Sequence, residues 1–159
     1  MEKIVLTDVE AVPGASSEEL ANIVIQRIGL MPRKKGSTEK MNKVIIEMYE
    51  RAKAGYRQKK PSEALMTVEE MAAFAGITRQ TMYEYLRRWQ NLNLISKASY
   101  IGRDDKVVIG YRLNGHTLES AFEKAKVRIA NNMDATLKIV AELQKVLKNE
   151  KISQSQKKN

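Results

Sequence analysis

Residues 78–88, Thr-Arg-Gln-Thr-Met-Tyr-Glu-Tyr-Leu-Arg-Arg, bring two planar hydrogen-bonding side chains together with hydroxyls and cations. Arg79 can offer two parallel donors to guanine O6 and N7, and Gln80 a donor and an acceptor to adenine N6 and N7. Tyr83 joins them as a candidate for base readout, with a ring that can stack and a hydroxyl that can bond. Thr78, Thr81, Arg87 and Arg88 have the hydroxyls and charges that contact a sugar-phosphate backbone. For Arg87 and Arg88 there is a plainer alternative, a solvated helix face paired with Glu84 at helical spacing.

Such chemistry needs a helix that buries one side and presents the other. The surrounding stretch, Thr67 to Trp89, supplies two helical patterns separated by Gly76. Thr67 with Glu70 three residues on is a capping box that starts the first helix. Ala72 and Ala75 are small enough for a close helix crossing, and Gly76 accepts the left-handed conformation that ends that helix. Thr78 caps the second helix, on which Met82, Tyr85, Leu86 and Trp89 recur at steps of three and four and define a buried face. Arg79, Gln80, Tyr83, Glu84, Arg87 and Arg88 are left outside. Asn93 is a tolerable left-handed C-terminal cap.

Ile95 to Ile101 and Lys106 to Leu113 then read as two strands around Gly-Arg-Asp-Asp, with Val107, Ile109, Tyr111 and Leu113 alternating on one face. A hairpin in this place is a wing. Its Arg103 and Lys106 are candidates for DNA-backbone contact. Asp104 and Asp105 between them act as turn formers, would repel a phosphate they faced, and do not converge on a metal.

Upstream, Ser16 and Glu19 predict a helix over 17–28 with Leu20, Ile23, Val24 and Ile28 on its packed stripe. Pro32, Gly36 and the run Arg33-Lys34-Lys35 make a linker, whose cations are a possible basic arm along a groove or simply solvated. A helix should run from Ser37 or Thr38 to Ala54, with Met41, Val44, Ile45, Met48, Tyr49 and Ala52 on one face, and Gly55 should end it. Leu65-Met66 is a possible short strand. The methionines at 41, 48, 71 and 82 fall on apolar stripes and read as core filler.

From Thr117 to about Lys148 no Gly or Pro interrupts a helical pattern whose stripe is Leu118, Phe122, Ala125, Ile129, Met133, Leu137, Val140, Leu143 and Leu147. A helix of this length overhangs the preceding module, so Leu118, Phe122, Ile129, Met133, Leu137, Val140, Leu143 and Leu147 are assigned to a dimer interface. The polar, basic end after it is expected to be disordered. The organisation is therefore 1–36, an extension with one helix and the basic linker; 37–115, the DNA-binding domain; 116–148, the dimerisation helix; and 149–159, the tail.

Composition agrees with this partner. Lys and Arg total 28 against 19 Asp and Glu, a net charge of +9, which attracts polyanions. The absence of cysteine excludes disulfides, cysteine-based metal sites and thiol nucleophiles. His116 is the one histidine and stands without a catalytic neighbour, so it reads as a surface or capping residue. No Gly-rich phosphate loop ends in Gly-Lys-Ser/Thr. Neither an enzyme, a cofactor nor a metal site is expected, and the N-terminus resembles neither a signal peptide nor a membrane span. Cytoplasmic, nucleoid-associated localisation follows as an expectation.

Over about two-thirds of the chain, from Ser37 to Lys148, the order of elements resembles winged helix-turn-helix transcriptional regulators of the MarR, PadR and TrmB type. The resemblance rests on Met66 to Trp89, on Leu92-Asn93-Leu94-Ile95-Ser96, and on Tyr111-Arg112-Leu113-Asn114-Gly115 at the hairpin's exit. The chain departs from the pattern at Asn93, where Gly is usual, and at Asn114, where Thr is usual. The implied fold is mainly α with a small β-hairpin wing and a long C-terminal dimerisation helix. The implied function is sequence-specific recognition of double-stranded DNA by a homodimer, with recognition helices in successive major grooves and wings on the flanks. No small-molecule effector is identified by the residues. The alternatives are an architectural or DNA-segregation protein with little sequence preference, and a winged-helix protein-protein interaction module.

Overall fold

The computed structural model describes residues 3–30 and 40–157. Three of the helix starts are marked by side-chain caps, whereas the helix beginning at Met41 has none. The Ser16 hydroxyl accepts from the Glu19 amide at 3.2 Å and opens α1 (Ser17–Arg27). After α2 (Met41–Gln58) and a 3₁₀ turn (Pro61–Ala64), both halves of the Thr67/Glu70 capping box form at the head of α3 (Val68–Ala75). Thr78 accepts from the Thr81 amide and starts α4 (Arg79–Asn91). Strands β1 (Ile95–Ile101) and β2 (Val107–Leu113) form one antiparallel hairpin, followed by α5 (Leu118–Lys157). The fold is thus mainly helical, with a two-stranded hairpin and a long C-terminal helix.

The chain divides into a first unit ending at Ala125 and a second beginning at Lys126. The core of the first is built on α2, α3 and α4: Met41, Val44, Met48, Met71, Met82 and Trp89 are fully buried. The flexible methionines fill this centre, as their spacing predicts. The hairpin is tied in at its base, where Met66 pairs with Tyr111 through backbone bonds of 2.8 and 2.7 Å. The short strand expected at Leu65-Met66 is therefore a single β-bridge.

Three sequence expectations shift. Gly55 does not end the second helix, which continues to Gln58 and closes at Lys59 in a left-handed conformation, φ 56°. Gly55 is instead where α2 meets the 3₁₀ turn: a Cβ there would lie 3.1 Å from the Ala64 Cβ. On α1 the buried residues are Ala21 and Ile25, whereas Leu20 and Val24 are exposed and Ile23 and Ile28 half-buried. The packed stripe is rotated because the small Ala21, not the bulky Leu20, permits close approach. Finally, α5 runs through Lys157, so residues 149–157 are helical where a loose tail was expected.

Residues 3–30 belong to the same unit as α2, α3 and α4. Ile25 and Leu30 are fully buried, and the Trp89 indole Nε1 donates to the Leu30 carbonyl at 3.2 Å. Gly29 adopts φ +66°, and a Cβ on it would come within 2.8 Å of Val5.

A polar clamp holds α2 to α3. Arg51 donates to Glu47 at 3.0 Å and to the Leu65 carbonyl at 3.0 Å, and its remaining nitrogen pairs with Glu70. Burial disfavours both charges, but for Arg51 the hydrogen bonds and charges of Glu70 and Glu47 outweigh it and raise its pKa. For Glu70, Arg51 and the Thr67 bonds likewise outweigh burial, and hold the carboxyl below its usual range. A depressed carboxyl pKa stabilises the fold above the unfolded value, near 4.3, and that stabilisation is lost as pH falls through the folded value. Glu70→Gln should therefore cost about 1 kcal/mol at pH 7, discounted for the partial exposure of the pair. The deficit should shrink in urea titrations at pH 3; an equal deficit at both pH values would contradict this origin.

Candidate nucleic-acid interface

The turn between α3 and α4 is made by Gly76 at φ +69°, whose amide reaches the Ala72 and Ala73 carbonyls, and by the Ile77 amide on Ala72 at 3.1 Å. Such a tight connection fixes the start of α4 relative to α3. Met82, Tyr85, Leu86 and Trp89 then turn inward, and Arg79, Gln80, Tyr83, Glu84 and Arg87 are exposed. The steps from 79 to 83 to 87 keep those three on one side of the helix.

Four of the candidate side chains, Thr78, Arg79, Thr81 and Arg88, have intramolecular partners. Arg79 forms a 3.1 Å ion pair with Glu69 of α3. With side chains 63% and 60% exposed, this pair is screened by water and opens at little cost. Thr78 and Thr81 serve the cap: the Thr78 hydroxyl accepts from the Thr81 amide and donates to the Thr81 hydroxyl at 2.9 Å. Arg88 is half-buried and donates to the Gly29 carbonyl at 2.7 Å. That bond fastens α4 to the end of the N-terminal segment. Arg87 is exposed on the neighbouring stripe.

Tyr83 is 42% exposed and stands near the base of the hairpin. Burial, and then the nearby Tyr83 phenol, push the Tyr111 pKa above the usual phenol range. The hairpin turn carries Arg103 and Lys106, both exposed, and is closed by the Gly102 amide on the Lys106 carbonyl at 2.8 Å. Asp105 takes the left-handed position, φ 54°, in keeping with its reading as a turn former.

The register pairs Ile101 with Val107 and Ser99 with Ile109. On that face only Tyr111, Leu113 and Ile95 reach the core. Ile101, Val107 and Ile109 are 72%, 68% and 49% exposed, so the same face ends in an apolar tip that the core does not cover. The run Arg33-Lys34-Lys35 lies outside the described residues.

Asn93 and Asn114 meet in space. Asn93 takes φ 59° and its carbonyl accepts from the Asn114 side-chain amide at 2.9 Å. The Asn114 backbone amide donates in turn to Leu94 at 2.9 Å. The exit of α4 and the exit of the hairpin are thereby locked together.

No protein-family model matches the chain, and no curated protein matches its sequence.

Among the described residues no three His, Asp or Glu side chains gather as metal ligands would, and no helix is long and apolar enough to cross a membrane. Glu69 is the residue that local spacing could not find. The capping box singles out Glu70, and only the tight turn brings the exposed Glu69 beside the start of α4.

Proposed function

We propose that this chain is a winged helix-turn-helix protein that binds double-stranded DNA sequence-specifically, as a homodimeric transcriptional regulator in the cytoplasm on the nucleoid. The observation that carries the reading is the exposed stripe of Arg79, Gln80, Tyr83 and Arg87 on a helix whose opposite side is buried. Arg79 and Gln80 at its N-terminal end are the base readers, with Tyr83 one turn on. The net charge of +9 adds attraction without sequence preference. Arg87, Arg103 and Lys106 have the charge to contact phosphates, and the hydroxyls of Thr78 and Thr81 can contact them from the helix start. MarR-, PadR- and TrmB-type regulators are the family comparison that this proposal carries forward. The dimer would form through the exposed apolar stripe of α5.

Selection of bound duplexes from a random pool at about 0.15 M salt tests this, since screening weakens nonspecific attraction there. An enriched inverted repeat with half-sites about one helical turn apart is expected. Arg79→Ala and Gln80→Ala should each cost about 1–3 kcal/mol on that site and relax its sequence at one position. Equal losses on every duplex would remove base readout. The exposed Ile101, Val107 and Ile109 favour a second reading, a protein-binding module. Failure to bind any duplex even at low salt would put that reading first.

A further inference from the structure

One concave surface is lined by none of the residues assigned to DNA. A cavity of about 670 Å³ opens between the end of α2, the hairpin's exit and the start of α5. Arg57, Lys59, Arg112 and Lys124 all line it, and none of the described lining residues is an Asp or Glu. Their assigned hydrogen bonds are to neutral groups: Lys124 donates to the Asn114 Oδ1 at 3.1 Å and Arg112 to the Ser96 Oγ at 3.4 Å. Among the described residues none of the four cations forms an ion pair. Four like charges around one hollow repel each other, and an anion in it relieves that repulsion.

One wall is aromatic. The Tyr56 and His116 rings stand with centroids 4.6 Å apart, tilted at 45°, and both residues are exposed. A flat ring can lie against such a wall while anionic groups reach the cations. The volume falls in the range of sites that enclose small organic ligands. We infer that this cavity binds a phosphorylated small molecule carrying a planar ring, of the nucleoside phosphate class. Multiple negative charge matches four cations better than a single carboxylate does. The inference does not rest on the DNA-binding reading.

Calorimetric titration of the full chain with ATP, inorganic pyrophosphate and adenosine, in EDTA, tests it. ATP should bind saturably and more tightly than pyrophosphate, and adenosine should bind least. Arg57 and Lys124 are exposed, so Arg57→Gln/Lys124→Gln should fold and weaken ATP about tenfold or more. Tyr56→Ala should bring ATP down toward pyrophosphate. Absence of saturation overturns the inference, as does ATP binding that survives the double substitution or that is lost in Arg79→Ala/Arg87→Ala instead. A duplex that displaces ATP and is itself weakened equally by Arg57→Gln/Lys124→Gln would make the cavity a nucleic-acid contact, and would overturn it too.

Discussion

Trp89→Ala is expected to destabilise the protein by about 3–5 kcal/mol, the largest single effect from any one side chain here. Trp89 is fully buried on α4. Its removal leaves a cavity that the surrounding methionines fill only in part. It also removes the donor to the Leu30 carbonyl, and Leu30 is fully buried. A buried acceptor without a partner adds the cost of its desolvation. Trp89→Phe separates the two contributions: most of the volume remains, and the loss should fall to about 1–3 kcal/mol. Urea unfolding followed by circular dichroism reads both. A Trp89→Ala loss below about 1 kcal/mol would show that this packing does not hold the unit together.

The same substitution should loosen the N-terminal segment, because Trp89 and Arg88 hold Leu30 and Gly29 from successive positions on one helix. Limited proteolysis should cut it before the rest. The exposed stripe proposed to read bases and the N-terminal anchor thus occupy different sides of α4, and a substitution on one side should leave the other in place. This is the physical reason for testing DNA recognition at Arg79 and stability at Trp89.

The second large effect concerns α5. Every described residue beyond Ile129 is exposed, including Met133, Leu137, Val140, Leu143 and Leu147 at helical steps. Leu118 and Phe122, assigned with them to the dimer, are half-buried within the first unit, where Ala121 and Ala125 are the buried residues of α5. The part of α5 beyond Ala125 spans about 48 Å at 1.5 Å per residue. A helix with that much apolar surface in water gains most from a like surface, and a second copy of the chain provides one.

Leu137→Glu/Leu143→Glu places a carboxylate at two such positions in each copy. Each leucine contributes about 1.5–3 kcal/mol when buried, so self-association should weaken by more than about 100-fold. Sedimentation equilibrium at micromolar concentration should show a dimer for the parent chain and a monomer for the variant. Helical signal should fall as well, since a single helix without a partner is only marginally stable. A monomeric parent chain would rule out the homodimer and, with it, the symmetric DNA site.

The sequence by itself determined what depends on near neighbours. Side-chain caps need partners three residues apart, so Ser16, Thr67 and Thr78 mark three helix starts where their hydroxyls bond. Gly76 and Asn93 are read from the backbone conformation their side chains permit, and both have positive φ. The inward face of α4 follows from period alone, which leaves Arg79, Gln80, Tyr83 and Arg87 outward. Tertiary structure decided what depends on residues far along the chain. Gly55 looks like a helix end until Ala64 is placed against it. Arg88 and Arg87 read alike in sequence, and it is the fold that half-buries Arg88 and brings it to the Gly29 carbonyl. Glu69 meets Arg79, and Asn114 meets Asn93, across turns whose geometry no local spacing encodes. Period specifies which residues share a face, whereas packing specifies which face is covered. For this reason Val107 and Ile109 follow the alternation of Tyr111 and Leu113 and yet remain exposed.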